Sequence, residues 1–157
     1  MSLPLLILVQ WLHILFGIAW FGGTIFIELV LWPVWLRMPA ASGQASYDSI
    51  EPYIRRLMAV SGSAVMLLGI LRGTVFGSVR SLELVGTTYG LTWLAALILA
   101  GLLSAWGANW HDKFVGPVWQ NGQLRAEAVS RLGAARLINF LGFGVILVLM
   151  ILMRFGY

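Results

Sequence analysis

The sequence predicts an all-α fold: a four-helix transmembrane bundle, antiparallel, with both termini on the outer side. Three observations carry that prediction. Hydrophobic residues make up 60% of the 157-residue chain and charged residues only 10%. A soluble domain of that size has no means of hiding so much apolar surface beneath a charged exterior. Four apolar runs, at about 3–32, 57–79, 89–110 and 137–155, reach the ~20 residues that a ~30 Å hydrocarbon layer requires. The basic residues collect between those runs. Arg37, Arg55, Arg56, Lys113, Arg125, Arg131 and Arg136 fall in the first and third connections, against Arg80 and Arg154 on the other side. The side richer in Lys and Arg is the cytoplasmic one. The expectation is a single transmembrane domain, 1–157, multi-pass in the lipid bilayer of the cell's inner (plasma) membrane.

Each run has its own local logic. The first begins at Leu3 with no basic n-region before it and no small-residue cleavage site after a short apolar core, so it is retained as a helix. Pro4 is tolerable in a first turn. The run ends at Trp32-Pro33, an aromatic belt residue followed by a helix breaker. Segment 34–56 carries Pro39, Ser42, Gly43 and Pro52, which predicts a loop with at most a short interfacial helix. Segment 80–88 is a tight connection. Segment 124–136 is rich in Ala, Leu, Arg and Glu and extends the fourth helix into water.

The net charge of +4 and a pI near 10.1 belong to loops that orient the chain and meet anionic lipid, so no nucleic-acid partner is expected. With no cysteine, disulfides, thiolate zinc, iron–sulfur clusters and cysteine nucleophiles are excluded. No Ser/His/Asp set, carboxylate pair, phosphate loop or HExxH is present.

The chemistry gathers on the first helix. At ~100° per residue, Gln10, His13, Gly17, Trp20, Thr24 and Glu28 fall within about 80° of one another. A helix in lipid turns such a stripe inward. The second helix has Gly69, Gly73 and Gly77 at four-residue spacing with Ser61 on the same row. The third has Ala96, Ala100, Ser104 and Ala108. Such rows serve close helix packing or a homodimer seam, and they also let a flat macrocycle lie against backbone.

Laying the runs side by side at a ~1.5 Å rise puts His13 about 7 Å outside the midplane. At that depth the second helix offers Arg72, the third Trp93, and the fourth Met150 and Met153. An arginine there wants an anion unless it snorkels to the interface, and no acidic side chain reaches it. Glu28 lies near the opposite end, within reach of Arg136 or Arg37. His111 is displaced from His13 by about 20 Å along the axis, so the two cannot grip one iron, and His111 reads as interfacial. His13 then has three readings. It is a proximal ligand to heme iron, the sixth position open or filled by Met150 or Met153. Or it forms a Cu(I) site with those methionines, which stand three apart on one face. Or it relays protons or packs through Gln10 and Trp20.

The first-helix segment HILFGIAWFGGTIFIELVLWP, with its His-x6-Trp-Phe-Gly-Gly pattern, resembles that of a group of small four-helix membrane proteins, the HemJ/CopD-like family. That group includes HemJ-type protoporphyrinogen oxidases and CopD-type copper proteins. The resemblance implies a heme b ligand at His13. The HemJ-like proteins also use a lysine near the start of the third helix, and alignment on Leu91-Thr92-Trp93 puts Gly90 there, a departure that counts against protoporphyrinogen oxidation. The expectation is a b-type heme protein for electron transfer or small redox chemistry. His13 would be axial, Gly17, Trp20, Gly69 and Gly73 would line the macrocycle beside Trp93, and Arg72 would face the propionates. The rivals are a copper-handling protein with metal on His13, Met150 and Met153, and a cofactor-free subunit of a homo-oligomer or larger membrane complex. Whether the chain is an enzyme stays open at this point.

Overall fold

The computed structural model describes residues 3–157; residues 1 and 2 of the expected domain lie outside the described residues. Four helices long and apolar enough to cross a membrane run up-down-up-down: α1 (Leu3–Arg37), α2 (Ala40–Gly73), α4 (Thr88–Val115) and α5 (Ala126–Arg154). A one-turn helix α3 (Leu82–Val85) and a hairpin β1–β2 (Trp119–Gln120, Gln123–Leu124) fill two of the connections. The chain is thus an all-α, four-helix multi-pass membrane protein. Its outer surface is apolar as lipid demands, with Trp11, Leu15, Leu67, Leu102, Leu141 and Val148 all exposed. Four alternating spans set both termini at one end, here the terminal end. The two long connections, with most of the arginines, form the other, basic end.

The helices overrun the apolar stretches at the basic end, and here the expected loop at 34–56 is replaced by helix. Only Met38 and Pro39 interrupt it, Met38 being extended (φ −72°, ψ 155°) as a residue before proline prefers. Pro39 caps α2, and Pro52 is carried inside it. The tight return is held by close contacts. A Cβ on Gly43 would stand 2.7 Å from the Trp35 carbonyl, and Trp35 Nε1 donates to Ser46 Oγ at 3.1 Å. Trp32 stacks on Tyr47 and on Trp119, with Trp35 edge-on to both Trp32 and Tyr47. Trp119 is delivered by the hairpin, whose turn residues Asn121 and Gly122 both have positive φ (52° and 72°), as a two-residue hairpin turn requires.

At the terminal end α2 stops at Gly73, short of the expected 79. The chain folds back so that Val79 N–H donates to the Gly73 carbonyl at 2.9 Å. Gly77 sits in that turn, where a Cβ would run into the Arg72 carbonyl. It is therefore a turn glycine and no part of the helix row.

Two π-turns adjust the inward faces, Ile27–Leu31 in α1 and Trp106–Trp110 in α4. Strict four-residue spacing drifts around an α-helix, and the wider π-turn offsets that drift. In α1 it carries the inward stripe from Glu28 (3% exposed) on to Trp32 (5%). In α4 it turns Ala108 outward, so the small-residue row ends at Ser104. Glu28 ties α1 to α5: Asn139 Nδ2 donates to Glu28 Oε1 at 2.9 Å, and Arg136 Nε stands 3.6 Å from Oε2. Of the two arginines within reach by sequence, Arg136 is the partner.

Removing one member of a buried ion pair strands the other, so Glu28→Ala should destabilise the bundle by about 3 kcal/mol. Asn139→Ala removes a single charged hydrogen bond and should cost about 1.5 kcal/mol. Equilibrium unfolding in mixed micelles measures both; equal, negligible effects would show that this tie does not hold α1 to α5.

Candidate functional site

The terminal half of the bundle encloses a cavity of about 630 Å³, a size suited to a cofactor or drug-sized ligand. From α1 come Gln10, His13, Gly17 and Trp20; from α2, Gly69, Arg72 and Gly73; from α4, Tyr89 and Trp93; from α5, Met150, Met153 and Arg154. Every residue singled out as cofactor- or metal-binding from the sequence lines this one space. Its floor is aromatic. Phe143 of α5 stacks on Phe21 (centroids 4.9 Å, 25°) and meets Trp20 edge-on (4.8 Å, 76°). Below that floor lie the Glu28 tie and the tryptophan cluster.

The orientation of the two key rings depends on glycine. His13 Nδ1 lies 3.1 Å from the carbonyl oxygen of Val65. A carbonyl only accepts, so the proton is on Nδ1, and Nε2 carries the lone pair. The Val65 carbonyl also closes the α2 turn to residue 69, and that residue is Gly69. A Cβ there would come within 3.4 Å of His13 Cε1. Without it, imidazole reaches a backbone oxygen that a side chain would screen. One turn on, the pattern repeats. Trp93 Nε1 donates to the Gly69 carbonyl at 3.1 Å, and the residue four further along is Gly73, where a Cβ would overlap the indole ring. The seat at Gly73 is therefore taken by Trp93. Gly62, which no sequence pattern singled out, does the same for Trp20, whose Cε2 would lie 3.2 Å from its Cβ. Gly17 is different: a Cβ there would meet nothing within 4 Å, so its flat face looks onto open space.

The charged groups sit at the terminal mouth. Arg72 is half-buried and has no ion-pair partner among the described residues. Arg154, counted in the sequence only toward membrane orientation, joins it as a second guanidinium on the cavity rim. Gln10 Oε1 is buried with no hydrogen-bond partner. Met150 also packs against the aromatic floor. His111 stays apart at the basic end, its Nδ1 3.1 Å from Asp112 Oδ1. Chemically, the cavity offers one imidazole nitrogen with a free lone pair, two thioethers, apolar and aromatic walls and a cationic rim.

The test of the glycine arrangement is a contrast. Gly73→Ala should displace Trp93, break its bond to the Gly69 carbonyl and cost about 2 kcal/mol through overpacking. Gly17→Ala should leave stability unchanged or slightly raised, since alanine is the better helix former by about 1 kcal/mol. Unfolding midpoints of the two variants decide the matter, and equal losses would refute the assignment.

Comparison of the chain with known protein families, with curated proteins and with solved structures finds no match, so the site stands on its own geometry.

Proposed function

We propose that this chain is a b-type heme protein of the inner (plasma) membrane, with His13 as axial ligand and its termini on the outer side, serving electron transfer or small redox chemistry. The observation that carries the reading is the hydrogen bond from His13 Nδ1 to the Val65 carbonyl inside a 630 Å³ cavity. Histidines that hold metals donate their other ring N–H to a carbonyl or carboxylate, which fixes the tautomer and raises ligand basicity. The donor set agrees: a neutral imidazole, a side-chain-free face at Gly17, aromatic walls at Trp20 and Trp93, and two guanidiniums, Arg72 and Arg154, where a macrocycle with two carboxylates would present them.

Heme, when bound, supplies one-electron chemistry at its iron. The residues do the rest. The Val65 carbonyl holds His13 in register. The Phe21–Phe143 floor excludes water from the basic side. Arg72 and Arg154 would neutralise acid groups at the rim and, as positive charges, raise the cost of losing an electron there. Met150 and Met153 line the wall formed by α5, and either thioether would be available to the iron as a further ligand.

Because both methionines line the cavity that His13 lines, Cu(I) handling by His13, Met150 and Met153 is the second reading. A cofactor-free subunit of an oligomer or larger complex is the third.

Protein purified with heme supplied should show a Soret band that His13→Ala abolishes. Arg72→Ala and Arg154→Ala should keep the band and weaken heme affinity about tenfold each, the loss of one charged hydrogen bond. A blank spectrum at every stage overturns the heme reading. Cu(I) binding that disappears in the Met150→Ala/Met153→Ala double variant, without any Soret band, establishes the copper reading instead.

A further inference from the structure

The wall of the cavity between α1 and α5 is incomplete. The two helices meet in the basic half, through Trp20 and Phe21 on Phe143 and through Glu28 on Asn139. From the Phe21–Phe143 contact toward the terminal end, the antiparallel run sets Gly17 opposite Leu147 one turn up and Ile14 opposite Met150 a turn beyond. Gly17 contributes no side chain to close the gap, and a Cβ at that position would meet nothing within 4 Å. Ile14, Ile18 and Leu147 line the cavity and are nevertheless 43%, 64% and 50% exposed. Cavity-lining residues this exposed point to a wall that is open along this seam. The opening lies in the apolar belt, where lipid tails and not water form the solvent.

We propose that the cavity is filled sideways, from the bilayer leaflet on the terminal side, through this aperture between α1 and α5. The occupant is a membrane-dissolved amphiphile whose apolar body slides past Gly17 and Leu147 while its carboxylates stay at headgroup level and are taken by Arg72 and Arg154. The identity of that amphiphile as heme rests on the reading above; the route rests on the geometry of α1 and α5 alone. Charge decides the orientation. The rim carries two guanidiniums, and the acidic side chain of this cavity's helices that is buried, Glu28, lies below the aromatic floor and is engaged by Asn139 and Arg136. An acid group is therefore stabilised at the rim and would be repelled deeper in. An amphiphile with a cationic head has no such resting place.

Two rates test the route. In the first, vesicles carrying hemin are mixed with the apoprotein in nanodiscs and growth of the Soret band is followed. In the second, Gly17→Cys, a sole cysteine because the natural chain has none, reacts with an alkyl maleimide dissolved in the bilayer or with a charged, impermeant maleimide in water. Leu147→Trp, which narrows the aperture, should slow both hemin uptake and alkyl-maleimide labelling by about tenfold or more, the effect of a modest rise in barrier. Leu147→Ala, which widens the aperture, should quicken both, which keeps the test usable if the tryptophan variant folds poorly. The charged maleimide should label slowest of all. Rates indifferent to the residue at 147, or faster labelling from water than from lipid, overturn the lateral route. A cavity whose labelling depends on residue 147 but which never yields a Soret band overturns heme as occupant and upholds the aperture.

Discussion

A bare backbone carbonyl in a membrane helix is the feature on which the site depends. In hydrocarbon, a buried N–H of imidazole or indole must find an acceptor, because leaving it unpaired costs several kcal/mol or about that order. Helix carbonyls are the nearest acceptors, but each is normally shielded by the side chain four residues on. Glycine at that position removes the shield. Val65 with Gly69 receives His13, and Gly69 with Gly73 receives Trp93. One four-residue glycine step thus fixes two rings from two other helices, and with them the tautomer of His13. The second lone pair of each carbonyl is used, so the helix keeps its own hydrogen bonds.

That device explains why the cavity is open where it is. Each ring that reaches across to α2 pulls α1 or α4 close to it, and α1 indeed packs most extensively along α2. Among the described residues, no ring bond or ion pair comparable to these joins α1 to α5 in the terminal half, where Gly17 and Leu147 both line the cavity. In the basic half, the Phe143 stack and the Glu28–Asn139 bond do so. The bundle is therefore sealed below and parted above, and the cavity is the volume left between a glycine-drawn pair of contacts and an aromatic floor.

The fold was legible because lipid imposes a length and a polarity on every span, and four runs met both. The membership of the cavity was legible for a related reason. Polar and small residues in a greasy helix are turned toward one another, so His13, Arg72, Trp93, Met150 and Met153, matched by depth alone, line the same space. The pairing of rings with carbonyls was not legible, because a glycine row looks the same whether it receives a helix, a macrocycle or an indole. Arg154 was hidden by its place near the chain end, where an arginine reads as an interfacial anchor. The helix over 40–56 was misread because Pro39 and Pro52 are breakers by propensity, whereas here Pro39 caps α2 and Pro52 is carried inside it, in a helix that packs through Tyr47 on Trp32, Trp35 and Trp119. The hairpin did carry a signal, the Asn121-Gly122 dipeptide, which period-3.6 reading passes over.

Buried polar groups occur in both halves of the molecule. Below the floor, Glu28 accepts from Asn139 and lies 3.6 Å from Arg136 Nε, while Glu28 Oε2, Arg136 Nε and the indole nitrogens of Trp106 and Trp119 are buried without a hydrogen bond among the described residues. Above it, the lone pair of His13, the amide oxygen of Gln10 and the guanidinium of Arg72 have no partner within the described chain. An imidazole lone pair, an amide oxygen and a cation around one apolar space are each costly there. On the heme reading proposed above, that cost is recovered when a ligand with a metal at its centre and acids at its edge comes to rest among them.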